Sequence, residues 1–378
     1  MKQRIAAILA AVICIATPAA SALEPPEAQA PSACLIEKET GRVLYEKNAR
    51  EKLAPASVTK VMTMLLVMEA IDREQIKDTD MVTVSAHAQS MGGSQVFIAE
   101  GEQYSVHDLL KGMIIASGND ASVALAEHVS GAESTFVAKM NEKAAELGMT
   151  DTHFVNCCGL DADRHVTSAR DVALMSAELL RRFPDVKKYT TVWQDSLRGG
   201  TFGLDNTNKL IRFYPGATGL KTGSTGKAKS CISASAEREG VEFIAVIMAA
   251  DSSDLRFQSA RTLLDFGFAN YTLTSVTPEE ALPPVAVELG RKDAVKTTLC
   301  GGGRVLVEKA RLGEVQKTVD LAPNVRAPVE EGQKLGVVRV TLGDQTLAQA
   351  DIVAAEPVER KTWVHFFGDL LGLVGMAP

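Results

Sequence analysis

The sequence lacks the cysteine pattern of a disulfide-bonded protein. Apart from Cys14, in an N-terminal apolar stretch, the cysteines are few and scattered: Cys34, Cys157, Cys158, Cys231 and Cys300. An odd, scattered set does not form a disulfide framework. The Cys157-Cys158 pair leaves two alternatives open, a strained vicinal bridge and buried thiols, of which we favour the thiols. No group of His and Cys has the spacing of a zinc site, so we expect neither a metal nor a cofactor.

The chain also lacks an excess of positive charge. Its 378 residues carry a formal net charge of −7, and there is no long basic run. We therefore expect no binding to nucleic acid. The length suggests about two domains, and a hydrophobic content of 46% is ample for their cores.

The first residues have the organisation of an export signal. Basic Met1-Lys2-Gln3-Arg4 precedes an apolar stretch over residues 5–16, and Ala20-Ser21-Ala22 follows. This order predicts a signal peptide over residues 1–22 that is cleaved after Ala22, with an uncleaved anchor as the alternative. Residues 23–31 are rich in Pro and Ala and predict a flexible leader.

The run Ala54-Pro55-Ala56-Ser57-Val58-Thr59-Lys60 opens a segment, residues 61–71, that is apolar on nearly every face. Such a segment predicts a helix buried in a domain core. Ser57 and Lys60 are three residues apart, so they share one face at the start of that helix. A buried lysine has a lowered pKa, and its neutral amine can then activate a serine hydroxyl as a nucleophile.

The pattern of the remaining chain predicts an α/β domain over residues 32–270, with an antiparallel sheet and a cluster of helices. A hairpin is predicted at residues 34–45, short strands at 81–84 and 96–98, helices within 105–182, and long strands within 218–250. A helix at residues 255–268 closes this domain. A linker is expected between residues 269 and 284. Short alternating strands then predict a small all-β domain over residues 276–358.

Two further motifs carry candidate site residues. Ser117-Gly118-Asn119 lies between two predicted helices, where Ser117 could relay protons between Lys60 and a leaving group, and Asn119 could hold a substrate amide. Lys221-Thr222-Gly223-Ser224 lies in a glycine-rich predicted strand. Strand glycines permit a close approach to the backbone, so a substrate could pair along this strand's edge, with Lys221 adding positive charge.

The motifs S-x-x-K, S-x-N and K-T-G, in this order, resemble those of penicillin-binding proteins and β-lactamases. Nearly the whole mature chain resembles the serine D-alanyl-D-alanine carboxypeptidases, which are low-molecular-mass penicillin-binding proteins. The resemblance extends to residues 153–160, 165–171, 206–210 and 219–225. It also extends to Arg256-Phe257, which is similar to the family's basic residue near the substrate carboxylate.

This resemblance implies a penicillin-binding/β-lactamase-like transpeptidase fold and acyl transfer. Lys60 would deprotonate Ser57, which would attack the penultimate D-alanine of a peptidoglycan stem pentapeptide, and Ser117 would help protonate the leaving D-alanine. The N–H groups of Ser57 and Ser224 would form the oxyanion hole. The terminal carboxylate would be bound by Lys221, Thr222, Ser224 and Arg256. A β-lactam would acylate the same serine.

Three alternatives to a carboxypeptidase are weaker. A β-lactamase of class A would carry E-x-x-L-N on a loop after the S-x-N motif, and that pattern does not occur here. A related serine esterase usually has Tyr in place of Ser117. A non-catalytic cell-wall binding protein would not need all three motifs intact.

The C-terminal residues 360–378 predict an amphipathic membrane anchor. On a helical wheel the apolar residues from Trp363 to Val374 fill one half, and basic Arg360-Lys361 precede them. The segment is too short to span a bilayer, but such a face suits a helix lying in the membrane interface. A helix docked on the protein's own β domain is the alternative. We expect an exported enzyme held peripherally on the periplasmic side of the cytoplasmic membrane.

Overall fold

The structure is a computed structural model that describes residues 24–365. The predicted signal peptide, residues 1–22, and most of the predicted anchor, residues 366–378, lie outside the described residues. Between residues 24 and 365, no helix is long and apolar enough to cross a membrane.

The first part of the chain forms an α/β fold whose strands are β1 Ser32–Glu37, β2 Val43–Lys47, β3 Met81–Thr83, β4 Gln103–Ser105, β5 Gln194–Leu197, β6 Phe202–Asp205, β7 Ala217–Thr225, β8 Lys229–Arg238 and β9 Val241–Ala250. Five of them form an antiparallel sheet with the order β2-β1-β9-β8-β7. The pairs β3–β4 and β5–β6 form two small two-stranded antiparallel sheets. The early strand β1 pairs with the late strand β9, as the sequence pattern predicts.

Helices cover both faces of this sheet. They are α1 Lys60–Asp72, α2 Ala86–Gln89, α3 Val106–Ile114, α4 Asn119–Ser130, α5 Glu133–Glu146, α6 Ala169–Arg182, α7 Lys187–Thr190, α8 Leu210–Phe213 and α9 Ser253–Asn270. One core lies between the sheet and the helical cluster that surrounds α1, and a second lies between the sheet and α9. Helix α1 is buried from Lys60 to Ala70, which confirms the prediction of a core helix.

The C-terminal part is built almost entirely of β-strands. They are β10 Tyr271–Ser275, β11 Val285–Glu288, β12 Ala294–Val295, β13 Thr297–Cys300, β14 Arg304–Glu308, β15 Val315–Leu321, β16 Asn324–Arg326, β17 Lys334–Leu342 and β18 Gln345–Ala354. A four-stranded sheet has the order β13-β18-β17-β15, and a three-stranded sheet has the order β12-β11-β16.

Three local expectations differ from the structure. Residues 96–98 do not form a strand, because the N–H groups of Val96 and Ile98 donate to the Asp120 carboxylate instead of a neighbouring strand. The expected linker contains a strand, since β10 pairs with β14. The end of the expected flexible leader is docked, with Ala28 and Ala30 buried and the Gln29 N–H donating to Ser259 Oγ at 3.0 Å.

All five cysteines within the described residues are free thiols, and only Cys300 among them is exposed. Cys157 and Cys158 are therefore buried thiols here, the alternative that the sequence favours.

Candidate active site

Ser57 lies in a 3₁₀ turn, Ala56–Thr59, that leads directly into α1. The sequence predicts Ser57 in or beside the first turn of the helix, and in the structure it lies beside that turn, since α1 begins at Lys60. Residues three apart align in a 3₁₀ turn, so Ser57 and Lys60 still point the same way. Ser57 is partly exposed between the buried residues Ala56 and Val58.

The Lys60 amine is fully buried and contacts three oxygen atoms. Its Nζ donates to Asn119 Oδ1 at 2.6 Å and to the Cys158 carbonyl at 2.7 Å, and it lies 3.0 Å from Ser57 Oγ. Amide and carbonyl oxygens only accept hydrogen bonds, so these two partners occupy two of the amine's hydrogens. In its neutral form the amine therefore directs its lone pair toward Ser57, whose hydroxyl can donate a hydrogen bond to it. This geometry allows Lys60 to act as the base that deprotonates Ser57.

Burial lowers the pKa of Lys60 to about 8, because the charged amine loses its hydration. Lys221 is buried as well, and its pKa lies well below its usual value, first through burial and then through repulsion by Lys60 and Arg256. The expected role of Lys221, to add positive charge to the site, stays a prediction. With a pKa of about 8, the Lys60 amine can exchange protons near neutral pH.

Ser117 and Asn119 are both buried near the start of α4, and Asn119 contacts Lys60. Ser117 has a φ of +65°, an uncommon conformation for a residue other than glycine. Both polar atoms of the Asn119 side chain form hydrogen bonds within the protein: Oδ1 accepts from Lys60, and Nδ2 donates to the Gly92 carbonyl at 2.7 Å. Asn119 thus orients Lys60, where the sequence suggested a contact with a substrate amide. Among the described residues, no hydrogen bond joins Ser117 to either lysine.

The K-T-G motif lies on β7, an edge strand of the five-stranded sheet. Lys221, Thr222 and Gly223 are buried, whereas Ser224 is exposed. The Thr222 hydroxyl donates to Thr207 Oγ1 at 2.7 Å. The expected edge strand is therefore present, and it runs beside the turn that holds Ser57.

Two glycines, Gly159 and Gly223, pack closely against the peptide group between Ala56 and Ser57. A Cβ atom on Gly159, whose φ is +91°, would lie 1.9 Å from the Ala56 carbonyl oxygen. A Cβ atom on Gly223 would lie 2.9 Å from the Ser57 nitrogen. Real Cβ atoms do not approach backbone this closely, so both positions require glycine. The K-T-G glycine thus brings β7 against the nucleophile turn.

Arg256 is buried behind β7, near the start of α9. Its Nη1 donates to the carbonyls of Gly223 at 3.1 Å and Cys231 at 3.2 Å, and its Nη2 donates to Ser253 Oγ. The guanidinium therefore braces β7 and β8. Its expected contact with a substrate carboxylate stays a prediction.

Comparison with known proteins agrees with this geometry. Residues 19–252 match the family model described as D-alanyl-D-alanine carboxypeptidase, peptidase S11, and residues 275–360 match the penicillin-binding protein 5 C-terminal domain. The chain is 43% identical over 349 residues to the D-alanyl-D-alanine carboxypeptidase DacF of Bacillus subtilis, covering 91% of this chain and 90% of that protein.

The chain belongs to the peptidase S11 family of D-alanyl-D-alanine carboxypeptidases. Penicillin-binding protein 5 from Haemophilus influenzae is similar in structure, with a TM-score of 0.78, 31% identity and coverage of 89% of this carboxypeptidase and 100% of that chain. Penicillin-binding protein D2 from Listeria monocytogenes, solved in an ampicillin-bound form, is 32% identical and has a TM-score of 0.59, covering 64% and 98%. The predicted family, fold and serine-type enzyme class are confirmed.

Sequence reasoning gave no role to two groups that shape this carboxypeptidase site, the His165 side chain and the Cys158 carbonyl. His165 is buried, its Nδ1 accepts from the Val155 N–H at 2.9 Å, and its Nε2 must then donate to Thr59 Oγ1, also at 2.9 Å. Burial lowers the pKa of His165 to about 4, so the ring is neutral. The motifs gave no signal for this contact, nor for the Cys158 carbonyl, because both depend on how residues 153–166 fold back on the Ser57 turn.

Proposed function

We propose that this carboxypeptidase removes the terminal D-alanine of peptidoglycan stem pentapeptides through an acyl-enzyme on Ser57. The observation that carries the assignment is the Lys60 amine, which two carbonyl-type acceptors orient so that its remaining position faces Ser57 Oγ at 3.0 Å. Nucleophile and base lie within hydrogen-bond reach, and a third group orients the base, as nucleophilic catalysis requires.

In the acylation step, Lys60 takes the Ser57 proton while Oγ attacks the carbonyl carbon of the penultimate D-alanine. The oxyanion is stabilised by the N–H groups of Ser57 and Ser224. The close packing of Gly223 on the Ser57 nitrogen supports this pairing, because it brings the two backbones together. Each such donor is typically worth about 3–4 kcal/mol.

The peptide C–N bond then breaks, and the leaving amine receives a proton from Lys60 through the Ser117 hydroxyl. Lys221, Thr222, Ser224 and Arg256 bind the terminal carboxylate. Asn119 keeps Lys60 in place. Water finally hydrolyses the ester, which returns the Ser57 hydroxyl and releases the shortened stem peptide.

A β-lactam enters the same reaction because its ring amide mimics the D-alanyl-D-alanine bond. Ser57 opens the ring, and the product stays attached as an ester. The similarity to a penicillin-binding protein solved with ampicillin supports this assignment.

Release of D-alanine from a stem pentapeptide tests the proposed activity. Mass spectrometry of peptides from the penicillin-treated enzyme identifies the residue that is acylated. We expect the added mass on the peptide that contains Ser57. The Ser57→Ala variant should lose both the label and D-alanine release while keeping the melting temperature of the parent. A penicillin label that persists on another residue of this variant would reject the assignment.

We also propose that the mature enzyme is exported and is held on the outer face of the cytoplasmic membrane by its C-terminal residues. The supporting features are the signal-like residues 1–22 and, at the other end, Trp363 and Val364, which are 89% and 80% exposed and follow a basic pair. Exposed Trp next to basic residues suits the membrane interface.

A chain ending at Thr362 tests this anchor. The cut keeps Lys361, whose N–H donates to the Leu289 carbonyl, so the β domain retains its last pairing. We expect the shortened protein to lose sedimentation with membranes but to hydrolyse small peptides as the full chain does. Unchanged sedimentation would place the anchor elsewhere.

A further inference from the structure

Phe97 is an exposed aromatic residue on a backbone that is held from both sides. The N–H groups of Val96 and Ile98 donate to the Asp120 carboxylate at 3.0 and 3.3 Å. The carbonyls of Val96 and Phe97 both accept from Arg198 Nη2. Phe97 is nevertheless 66% exposed. Hydrogen bonds therefore fix the backbone around Phe97, whereas its ring is exposed to solvent.

The backbone conformation of Phe97 is unfavourable for its residue type. Its φ is +55°, in the left-handed region that glycine adopts readily and bulky residues adopt rarely. The backbone conformation therefore disfavours phenylalanine at this position, and a ring that is 66% exposed adds little packing energy to the stability of the fold. Backbone strain of this kind is concentrated at functional sites, so the ring itself needs a function.

The loop that carries Phe97 also forms part of the active site. The Gly92 carbonyl accepts from Asn119 Nδ2, and the Ser94 carbonyl accepts from the Asn119 N–H, both at 2.7 Å. Asp120, which fixes the backbone of Phe97, directly follows Asn119 in α4. A Cβ atom on Gly118, the central residue of the S-x-N motif, would lie 3.3 Å from Val96 Cγ1, so Val96 packs on that motif. Phe97 directly follows Val96 and thus lies beside the S-x-N motif.

Two further side chains extend the exposed ring into a surface. The rings of Phe97 and Phe202 meet edge to face, with centroids 6.3 Å apart. The Arg198 guanidinium lies 5.2 Å from the centre of the Phe202 ring, and its Nε donates to the Tyr104 hydroxyl at 2.8 Å. We call Phe97, Phe202 and Arg198 the Phe97 surface.

The Phe97 surface combines two apolar rings with a cationic edge. Among the described residues, Arg198 Nη1 donates no hydrogen bond, whereas Nε and Nη2 are both occupied. Glu102 offsets part of the charge from 3.9 Å. An aliphatic chain that ends in a carboxylate matches this surface, because its methylene groups pack on the rings and its carboxylate pairs with the guanidinium.

We propose that the Phe97 surface binds the stem peptide upstream of the D-alanyl-D-alanine unit and favours a third residue whose side chain ends in a carboxylate. This inference rests on the proposed function. The leaving group of that reaction is a single D-alanine, so the rest of the substrate lies on the acyl side. We therefore assign the Phe97 surface to that upstream part of the substrate.

The experiment compares three substrates: a pentapeptide with a diamino dicarboxylic acid at position three, a pentapeptide with lysine there, and N-acetyl-D-alanyl-D-alanine, which lacks the upstream part. We expect the parent to prefer the first pentapeptide over the second by about ten-fold in kcat/KM, as for one favourable ionic contact. Phe97→Ala should lower kcat/KM for that pentapeptide by about ten-fold and for the dipeptide by less than about two-fold.

Phe97→Gly removes the ring and also suits the left-handed backbone, so it should fold at least as well as the parent and show the same selective loss. Phe97→Tyr keeps the ring and should retain the preference. Phe213→Ala is the matched control, since Phe213 is also an exposed phenylalanine, 57% exposed, that meets Trp193 edge to face. That variant should leave the substrate preference unchanged.

Equal losses on all three substrates, or no loss in Phe97→Gly, would overturn the proposed subsite. A parent that hydrolyses the lysine pentapeptide as fast as the other would overturn the preference for a carboxylate. Penicillin labelling of Ser57 is measured in every variant and should stay within about two-fold of the parent. Absence of that labelling in the parent itself would instead reject the proposed function.

Discussion

Gly223 packs so closely on Ser57 that a Cβ atom at position 223 would lie 2.9 Å from the Ser57 nitrogen. The same atom would lie 2.9 Å from the Pro55 carbonyl oxygen and the Val58 nitrogen. The edge strand β7 and the nucleophile turn are therefore in contact along their backbones. This contact sets the separation between the attacking hydroxyl and the strand along which we expect a substrate to bind.

Gly223→Ala should lower the rate of acylation by penicillin by on the order of 10²-fold, because small displacements of reacting groups are costly. A Cβ atom on the nearby Gly226 would meet no atom within 4 Å, so Gly226→Ala is the matched control and should keep the parent rate. Rates are measured from the time course of labelling with fluorescent penicillin. An alanine at position 223 that acylates normally would show that β7 tolerates displacement.

Lys60→Arg should reduce acylation by on the order of 10²-fold or more, because a guanidinium does not deprotonate in proteins. In the parent, the pKa of Lys60 is lowered to about 8, and the neutral amine is the active form. The acylation rate should therefore rise with pH up to about 8 and level off above it. A rate that falls over this range, or an Arg variant as fast as the parent, would show that Lys60 supplies only charge.

His165→Gln should preserve acylation, because an amide can donate to Thr59 Oγ1 and accept from the Val155 N–H as the neutral ring does. His165→Leu leaves both groups unpaired and should cost about 1–3 kcal/mol of unfolding free energy for each. Urea unfolding and penicillin labelling of both variants check this. Equal behaviour of the two variants would contradict the hydrogen-bonded role.

His165 should also make the free energy of unfolding of this protein depend on pH. The pKa of His165 is lowered to about 4 in the folded state, so the unfolded chain binds the proton first as pH falls below about 6.5. The parent should lose stability relative to His165→Gln from that pH downward, by about 2 kcal/mol at pH 5. A constant difference between pH 7 and pH 5 would show that the ring is already protonated or exposed.

Arg256→Ala should reduce hydrolysis of peptides with a free terminal carboxylate much more than acylation by penicillin. Arg256 also braces the carbonyls of Gly223 and Cys231, so Arg256→Lys serves as a control that keeps a cation with fewer donors. Steady-state hydrolysis and penicillin labelling are compared for each variant. Losses of equal size on both substrates would assign Arg256 to supporting β7 alone.

The sequence by itself determined the family, the enzyme class and the architecture of this protein. Ser57 and Lys60 are close in the chain, so local helical geometry is enough to align them. The order of the S-x-x-K, S-x-N and K-T-G motifs is a property of the chain, as is the alternation that predicts β15, β17 and β18. Each of these signals depends on neighbouring residues or on a fixed motif.

The tertiary structure decided which groups surround the reacting atoms. The Cys158 carbonyl reaches Lys60, and Gly159 reaches Ala56, only because residues 153–166 fold back onto a turn that is remote in the chain. The strand expected at residues 96–98 is absent because Asp120, which is remote in sequence, binds its N–H groups. Lys221 is a buried amine with a lowered pKa because β7 packs against the helical cluster. Burial and long-range hydrogen bonds are sums over contacts between distant segments, and no local pattern specifies them.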